Sequence, residues 1–173
     1  MPNIFLIADT HFGHEAMYSF LRSDGSKIRP HGTSAVGDEE MIEKWNKAVR
    51  PSDKVYHLGD VAIRRKHIST MARLNGEKIL IRGNHDIFKI SDYLPYFKDI
   101  RGTHKLDKLL LSHYPVHESS IPPYAVANVH GHIHYQRVMK DGEVDARYRC
   151  VCVEQTDYTP IDLSSLYDQM KTL

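Results

Sequence analysis

"KILIRGNHD", residues 78–86, runs a short apolar segment straight into a cluster of polar, metal-capable side chains. The segment KILI (78–81) has the length and β-branched content of a strand buried on both faces. The same arrangement recurs along the chain. NIFLIA (3–8) leads into ADTHFGH (8–14), KVYHL (54–58) into GD (59–60), KLLL (108–111) into SHYP (112–115), and AVANV (125–129) into HGHIH (130–134). Helical patterns separate the first three runs. Residues 38–49 place Met41, Ile42, Trp45, Ala48 and Val49 on one face behind Asp38 as N-cap, and KHISTMARL (66–74) stops at Asn75 and Gly76. Strand, helix, strand, helix, strand implies parallel pairing with right-handed crossovers, an α/β fold.

In open α/β sheets, ligands bind beyond the carboxyl ends of the strands. Asp9, His11, Asp60, Asn84, His113, His132 and His134 all stand at such ends and are expected to converge. The set mixes imidazole, carboxylate and amide oxygen, which suits Mn, Fe, Ni, Zn or Co better than a thiolate-seeking ion, and no cysteine takes part. Seven ligands exceed one tetrahedral ion but fit two divalent metal ions about 3.5–4 Å apart that share a carboxylate, the usual arrangement for hydrolysing phosphate esters. Asp60 stands alone at its strand end and is the natural bridge. A pair of this kind turns water into a hydroxide nucleophile near neutral pH and clamps phosphate oxygens. The leaving group then needs a proton, and His85, beside Asn84, belongs to the residue type that titrates near neutrality, so it is the candidate general acid.

Taken in order, DTH, GD, RGNHD, a lone His113 and GHIH resemble the calcineurin-like metallophosphoesterase superfamily, in its small bacterial and phage form, over residues 9–134. GD alone is worthless as a signature; the ordered set is specific. The resemblance implies a four-layer α/β/β/α sandwich in which two mixed sheets pack face to face with helices outside. It also implies Asp9, His11, Asp60 and His134 on one ion, and Asp60, Asn84, His113 and His132 on the other. A partial likeness to the serine/threonine phosphatase branch puts Arg64 and Arg82 where phosphate-binding arginines sit. Arg64 reads equally as part of a solvated face beside Arg65 and Lys66. Ile63 departs from that branch, standing where it has the aspartate that pairs with the catalytic histidine. His14 is read either at the mouth, touching substrate, or as a hydrogen-bonding group behind the ligands. His57 and His130 read as structural; Asp86 reads as a group that orients a neighbour or, in preference, as a helix cap; Tyr114, Tyr124 and Tyr135 could stack on a base or aryl group, with packing the favoured reading.

At 173 residues the chain is expected to be one domain, residues 1–173. Its hydrophobic content of 41% and charged content of 26% are those of a soluble globular protein, and a formal charge of +1 gives no footprint for tight nucleic-acid or membrane binding. Cys150 and Cys152 read as reduced thiols, and the apolar run IFLIA is too short for a signal peptide or a spanning helix, so a cytoplasmic location is expected. Residues 22–37 and 114–125 read as surface loops. Arg22, Lys27, Arg29 and Tyr124 there suit a phosphate and one ring. The expectation is therefore a dinuclear phosphohydrolase of a small phosphodiester or phosphomonoester, a class that includes nucleotides and cyclic nucleotides. Two alternatives stand beside it: an inactive scaffold of the same fold, which would lose the catalytic histidine retained here as His85, and a nuclease, which would need a larger polyanion-binding surface.

Overall fold

The computed structural model of the protein describes residues 2–171. β1 (Ile4–Ile7), β2 (Lys54–His57), β3 (Glu77–Ile81) and β4 (Asp99–Arg101) pair in parallel in that order. β5 (Thr103–Leu106) and β6 (Leu109–Ser112) form an antiparallel pair, and β7 (Ala127–His130) lies parallel to β6. β8 (Met139–Lys140) and β9 (Glu143–Val144) make a small separate hairpin. β10 (Tyr148–Cys150) adds parallel to β7, and β11 (Ile161–Asp162) adds antiparallel to β1. Two mixed sheets result, ordered β11-β1-β2-β3-β4 and β10-β7-β6-β5. This is the α/β architecture expected, with parallel pairing among the first three runs.

Alternation along the strands divides two cores. Leu6, Tyr56, Ile79 and Ile81 of the first sheet meet Leu109, Leu111, Ala127 and Val129 of the second. Phe5, Ile7, Val55 and Leu80 point the other way, onto Met41, Ile42 and Trp45 of α1 (Ser34–Ala48). Strands covered on both faces in this way are why their sequences are continuous apolar runs. The short α2 (Ile90–Tyr93) follows β3, and α3 (Leu163–Lys171) closes the chain with Leu166 in the inter-sheet core. Outside the second sheet the covering layer is the 114–125 loop, which docks where Val116 N donates to Asn128 Oδ1 at 3.0 Å and Tyr148 Oη donates to the Val116 carbonyl at 2.8 Å.

Two expectations are corrected. α1 begins about one turn before Asp38, with Thr33 as its N-cap. Gly37 disguised that turn as loop, yet a Cβ there would meet the Tyr18 ring at 2.2 Å, so the glycine is a close-packing position. Asp38 caps nothing on its own helix; it accepts from Gly13 N at 2.6 Å and Tyr18 Oη at 3.1 Å, fastening the loop after β1. The second helical pattern winds as a 3-10 run, Arg65–Arg73. Ser69 Oγ bonds back to the Lys66 carbonyl at 2.8 Å, a local bond that competes with the α-helical ladder. Among the described residues, no helix is long and apolar enough to cross a membrane.

Candidate metal centre

The parallel strands of both sheets end at one edge, and the backbone there turns sharply. Asp9 (φ 59°), His11 (φ 47°), Asp60 (φ 59°), His132 (φ 70°) and His134 (φ 51°) all lie in the left-handed region. Non-glycine residues rarely hold it, and clusters of such strain mark functional sites. Hydrogen bonds hold the turns together: Asp9 N reaches the Gly59 carbonyl at 2.9 Å, His11 N the Asp60 carbonyl at 3.0 Å, and Gly131 N the His113 carbonyl at 2.9 Å.

All seven expected ligand residues are brought together. Asp9, His11 and His134 offer ligand atoms within 4.8 Å of one another, as do Asp60, His113 and His132. Asp60 Oδ2 lies 3.6 Å from His11 Nε2 and 3.5 Å from His113 Nε2, between the two groups. Asn84 Oδ1 sits 2.8 Å from His113 Nε2 and 3.0 Å from His132 Nδ1. His113 gives its Nδ1 proton to the Leu58 carbonyl at 2.7 Å, which turns the Nε2 lone pair inward beside Asn84 Oδ1. The buried Asp9 Oδ1 and His11 Nδ1 have no hydrogen-bond partner. Burial alone would raise the Asp9 pKa, but His11, whose Nε2 lies 3.7 Å from Oδ1, with His113 and His134 behind, holds it well below the ordinary carboxylate range. Converging lone pairs around orphaned, ionised oxygen are what divalent cations satisfy, so the residues fit such ions.

Residues behind the ligands hold this set. Asp86, for which a helix cap is the favoured reading from sequence, takes the other one and orients its neighbours: it accepts from the backbone N–H groups of Asp60 (2.8 Å), Val61 (3.0 Å) and Gly83 (2.8 Å), clamping the turns after β2 and β3 to one another. Glycine is required where they meet: a Cβ on Gly83 would stand 2.2 Å from Asp60 Oδ1, and one on Gly131 would stand 2.3 Å from Asp9 Oδ2. Asp9 Oδ2 also takes the Cys152 thiol at 3.2 Å and His132 N at 2.8 Å, which leaves Oδ1 turned toward His11 and His134.

Arg29 is not the exposed phosphate grip its loop suggested. It is fully buried, donating to the carbonyls of Thr10 (2.9 Å) and Asp9 (2.6 Å), and its Nε pairs with Glu154 Oε1 at 2.8 Å. The other Glu154 oxygen lies 3.2 Å from His134 Nδ1. Burial would raise the Glu154 pKa; Arg29, then His134, hold it below the usual range, so it is ionised. Glu154→Gln should therefore weaken metal binding on the Asp9 side by about 10- to 100-fold through the misdirected His134. It should also lower stability by about 3–5 kcal/mol, because Arg29 becomes a buried, uncompensated cation. Metal titration with a thermal melt of chelated protein checks both, and an unchanged melt removes the buried-pair account.

The remaining expected residues take varied places. His85 is 45% exposed at the mouth, its Nε2 4.0 Å from Asp60 Oδ2, and its own N–H donates to Asp60 Oδ1 at 2.8 Å. His14 stands between His11, 5.5 Å away, and the exposed Phe20. Burial, then His11 and Arg29, push its pKa down to about 4, so it faces the mouth as a neutral imidazole. Arg64 is exposed at the head of the 3-10 run. Arg82 directs Nε and Nη2 to the Asp86 carbonyl (2.9 and 2.6 Å) and Nη2 also to that of Phe88 (3.1 Å), so this guanidinium braces its own loop. His57 is structural: fully buried, it accepts from Gly59 N and donates from Nε2 to Thr10 Oγ1 at 2.9 Å, with burial lowering its pKa to about 3. His130, also buried, donates to the Gly131 carbonyl.

The family model for calcineurin-like phosphoesterases matches residues 2–163. An uncharacterised protein of Methanocaldococcus jannaschii is 29% identical over 173 residues, covering 94% of this chain and 88% of its own. The crystal structure of a protein of unknown function from Aquifex aeolicus superposes with a TM-score of 0.65 at 26% identity, over 98% of this chain and all of the other. A solved archaeal phosphodiesterase shares the fold at a TM-score of 0.50 and 18% identity, over 87% of this chain and 82% of the other.

Proposed function

The chain belongs to the calcineurin-like phosphoesterase family and is a metal-dependent phosphoesterase; on that premise we propose that it uses a dinuclear centre to hydrolyse a small phosphodiester or phosphomonoester. The observation that carries the proposal is Asp60 Oδ2, which lies at nearly equal distances from His11 Nε2 and His113 Nε2, as a bridging carboxylate requires. Asp9, His11, Asp60 and His134 would hold one ion, and Asp60, Asn84, His113 and His132 the other. When bound, the two ions supply an activated water and Lewis acidity toward the phosphoryl oxygens. Asp86 keeps the Asp60 turn in place, Glu154 aims His134, and His85 donates a proton to the leaving oxygen from the solvent side. A free Cys150 and Cys152 support a reducing, cytoplasmic setting.

Two exposed aromatic side chains support a substrate with a planar group. Tyr114 stands 4.4 Å from the His132 ring and Phe20 6.1 Å from His14, one at each side of the mouth. Two of the expected phosphate-binding cations are withdrawn, Arg29 by burial and Arg82 by its own loop, which supports a substrate with few phosphates. The protein is expected to prefer a mononucleotide or cyclic nucleotide over a 20-mer in kcat/KM, with weak salt dependence. Bis-p-nitrophenyl phosphate beside p-nitrophenyl phosphate, in Mn and Ni, separates diester from monoester. Strong preference for the 20-mer with a steep salt slope would make the protein a nuclease.

A further inference from the structure

The two sheets leave a cleft where their edge strands β10 and β11 stand near one another, away from the metal-binding end. It forms a cavity of about 580 Å³, within the range of small-molecule sites, and none of the seven candidate ligands lines it. Arg137 and Arg149 both face it, and among the described residues neither forms an ion pair. Two of the lining residues, Arg149 and Thr156, each keep a side-chain atom, Nε and Oγ1, that is buried behind the wall without a hydrogen-bond partner. Among the described residues, the one hydrogen bond of the Arg149 guanidinium goes to the neighbouring Tyr148 carbonyl at 2.9 Å, so two arginines meet this cavity with no carboxylate to balance them, and buried donors left unpaired are rare and costly.

The carboxylates nearby do not fill that place. Asp162 is occupied by Ser164 N at 2.8 Å and the Ser164 hydroxyl, and Asp157 pairs with Lys44 at 3.1 Å. Burial, and behind it the positive charge of Arg137, lower the Arg149 pKa, which an anion between the two would reverse. The apolar part of the lining includes Val144, Ile161 and Leu166.

We infer that this cavity is a second ligand site, distinct from the metal centre, which takes a small phosphorylated or phosphonylated molecule carrying one apolar ring. Its anion lies against Arg137, Arg149 and Thr156, and its ring against the apolar part of the lining. The site gives the protein a means of binding a phosphate-bearing effector without turning it over.

Phenylphosphonate tests this, because its C–P bond is not an ester. Titrated into zinc-loaded, ¹⁵N-labelled protein, it should cause saturable shifts at the amides of Arg149, Val151 and Thr156. Inorganic phosphate should shift the same amides several-fold more weakly. Arg149→Gln, and Arg137→Gln, whose exposed side chain leaves the fold untouched, should each weaken binding there by roughly 10- to 100-fold, the value of a hydrogen bond to a charged group. Shifts confined to residues 84–86 and 131–134, or an affinity that neither substitution changes, would overturn the assignment.

Discussion

Asp60→Ala is expected to cost the protein both metal ions rather than one. Every other candidate ligand serves one side: Asp9 and His134 stand with His11, and His132 and Asn84 with His113. Asp60 alone reaches both, through one oxygen, while its second oxygen takes the His85 N–H at 2.8 Å. Its removal leaves five neutral donors with the single charge of Asp9, and frees the turn after Gly83. Losing an outer-shell partner of a metal ligand lowers affinity by about 10- to 100-fold, so losing the shared carboxylate should exceed about 100-fold at each site. Activity should fall with occupancy. Metal analysis of wild type should give about two ions per chain and of the variant near none; a variant retaining one tight ion would mean that Asp60 belongs to a single site. Asn84→Ala is the informative control, expected to release the His113 ion first.

His85→Ala should leave both ions in place and still lower kcat by roughly 10²- to 10⁴-fold on a substrate with a poor leaving group. The side chain is nearly half exposed, and its nearest carboxylate atom, Asp60 Oδ2 at 4.0 Å, lies too far for a tight hydrogen bond. The imidazole meets the edge of the His11 ring, centroids 5.4 Å apart, but no side-chain hydrogen bond ties it down among the described residues, so it is open to a leaving oxygen. Nitrophenolate departs with little need of a proton, so the loss on nitrophenyl substrates should be much smaller. An equal loss on both classes, with metal content unchanged, would mean that His85 orients substrate and donates no proton. Ile63 offers no carboxylate, and the contact to Asp60 is the one carboxylate contact the His85 side chain makes among the described residues.

How much of this was legible before folding is shown by the strand ends. Period and composition are local properties, so buried parallel strands announce themselves as short apolar runs, and whatever follows each run is carried to the same edge. That logic recovers β1, β2, β3, β6 and β7 and all seven candidate ligands. It misses β4, β5, β10 and β11, short edge strands of mixed polarity such as DIR and YRC, and the two-residue strands β8 and β9 of the separate hairpin. The α1 start was hidden because Gly37 signals a loop by propensity, while its real constraint is the Tyr18 ring beside it.

The sequence by itself determined the order of strand exits, the donor types and hence the class of chemistry, because each is written within a few residues of its own strand. Only the tertiary structure decided which groups hold those donors in place. Arg29 meets Glu154 across 125 positions, Asp86 meets the Asp60 turn across 26, and Cys152 meets Asp9 across 143. No spacing encodes such pairs. They follow from which turns the two sheets bring together, and from the cost of leaving any buried charge or N–H there without a partner.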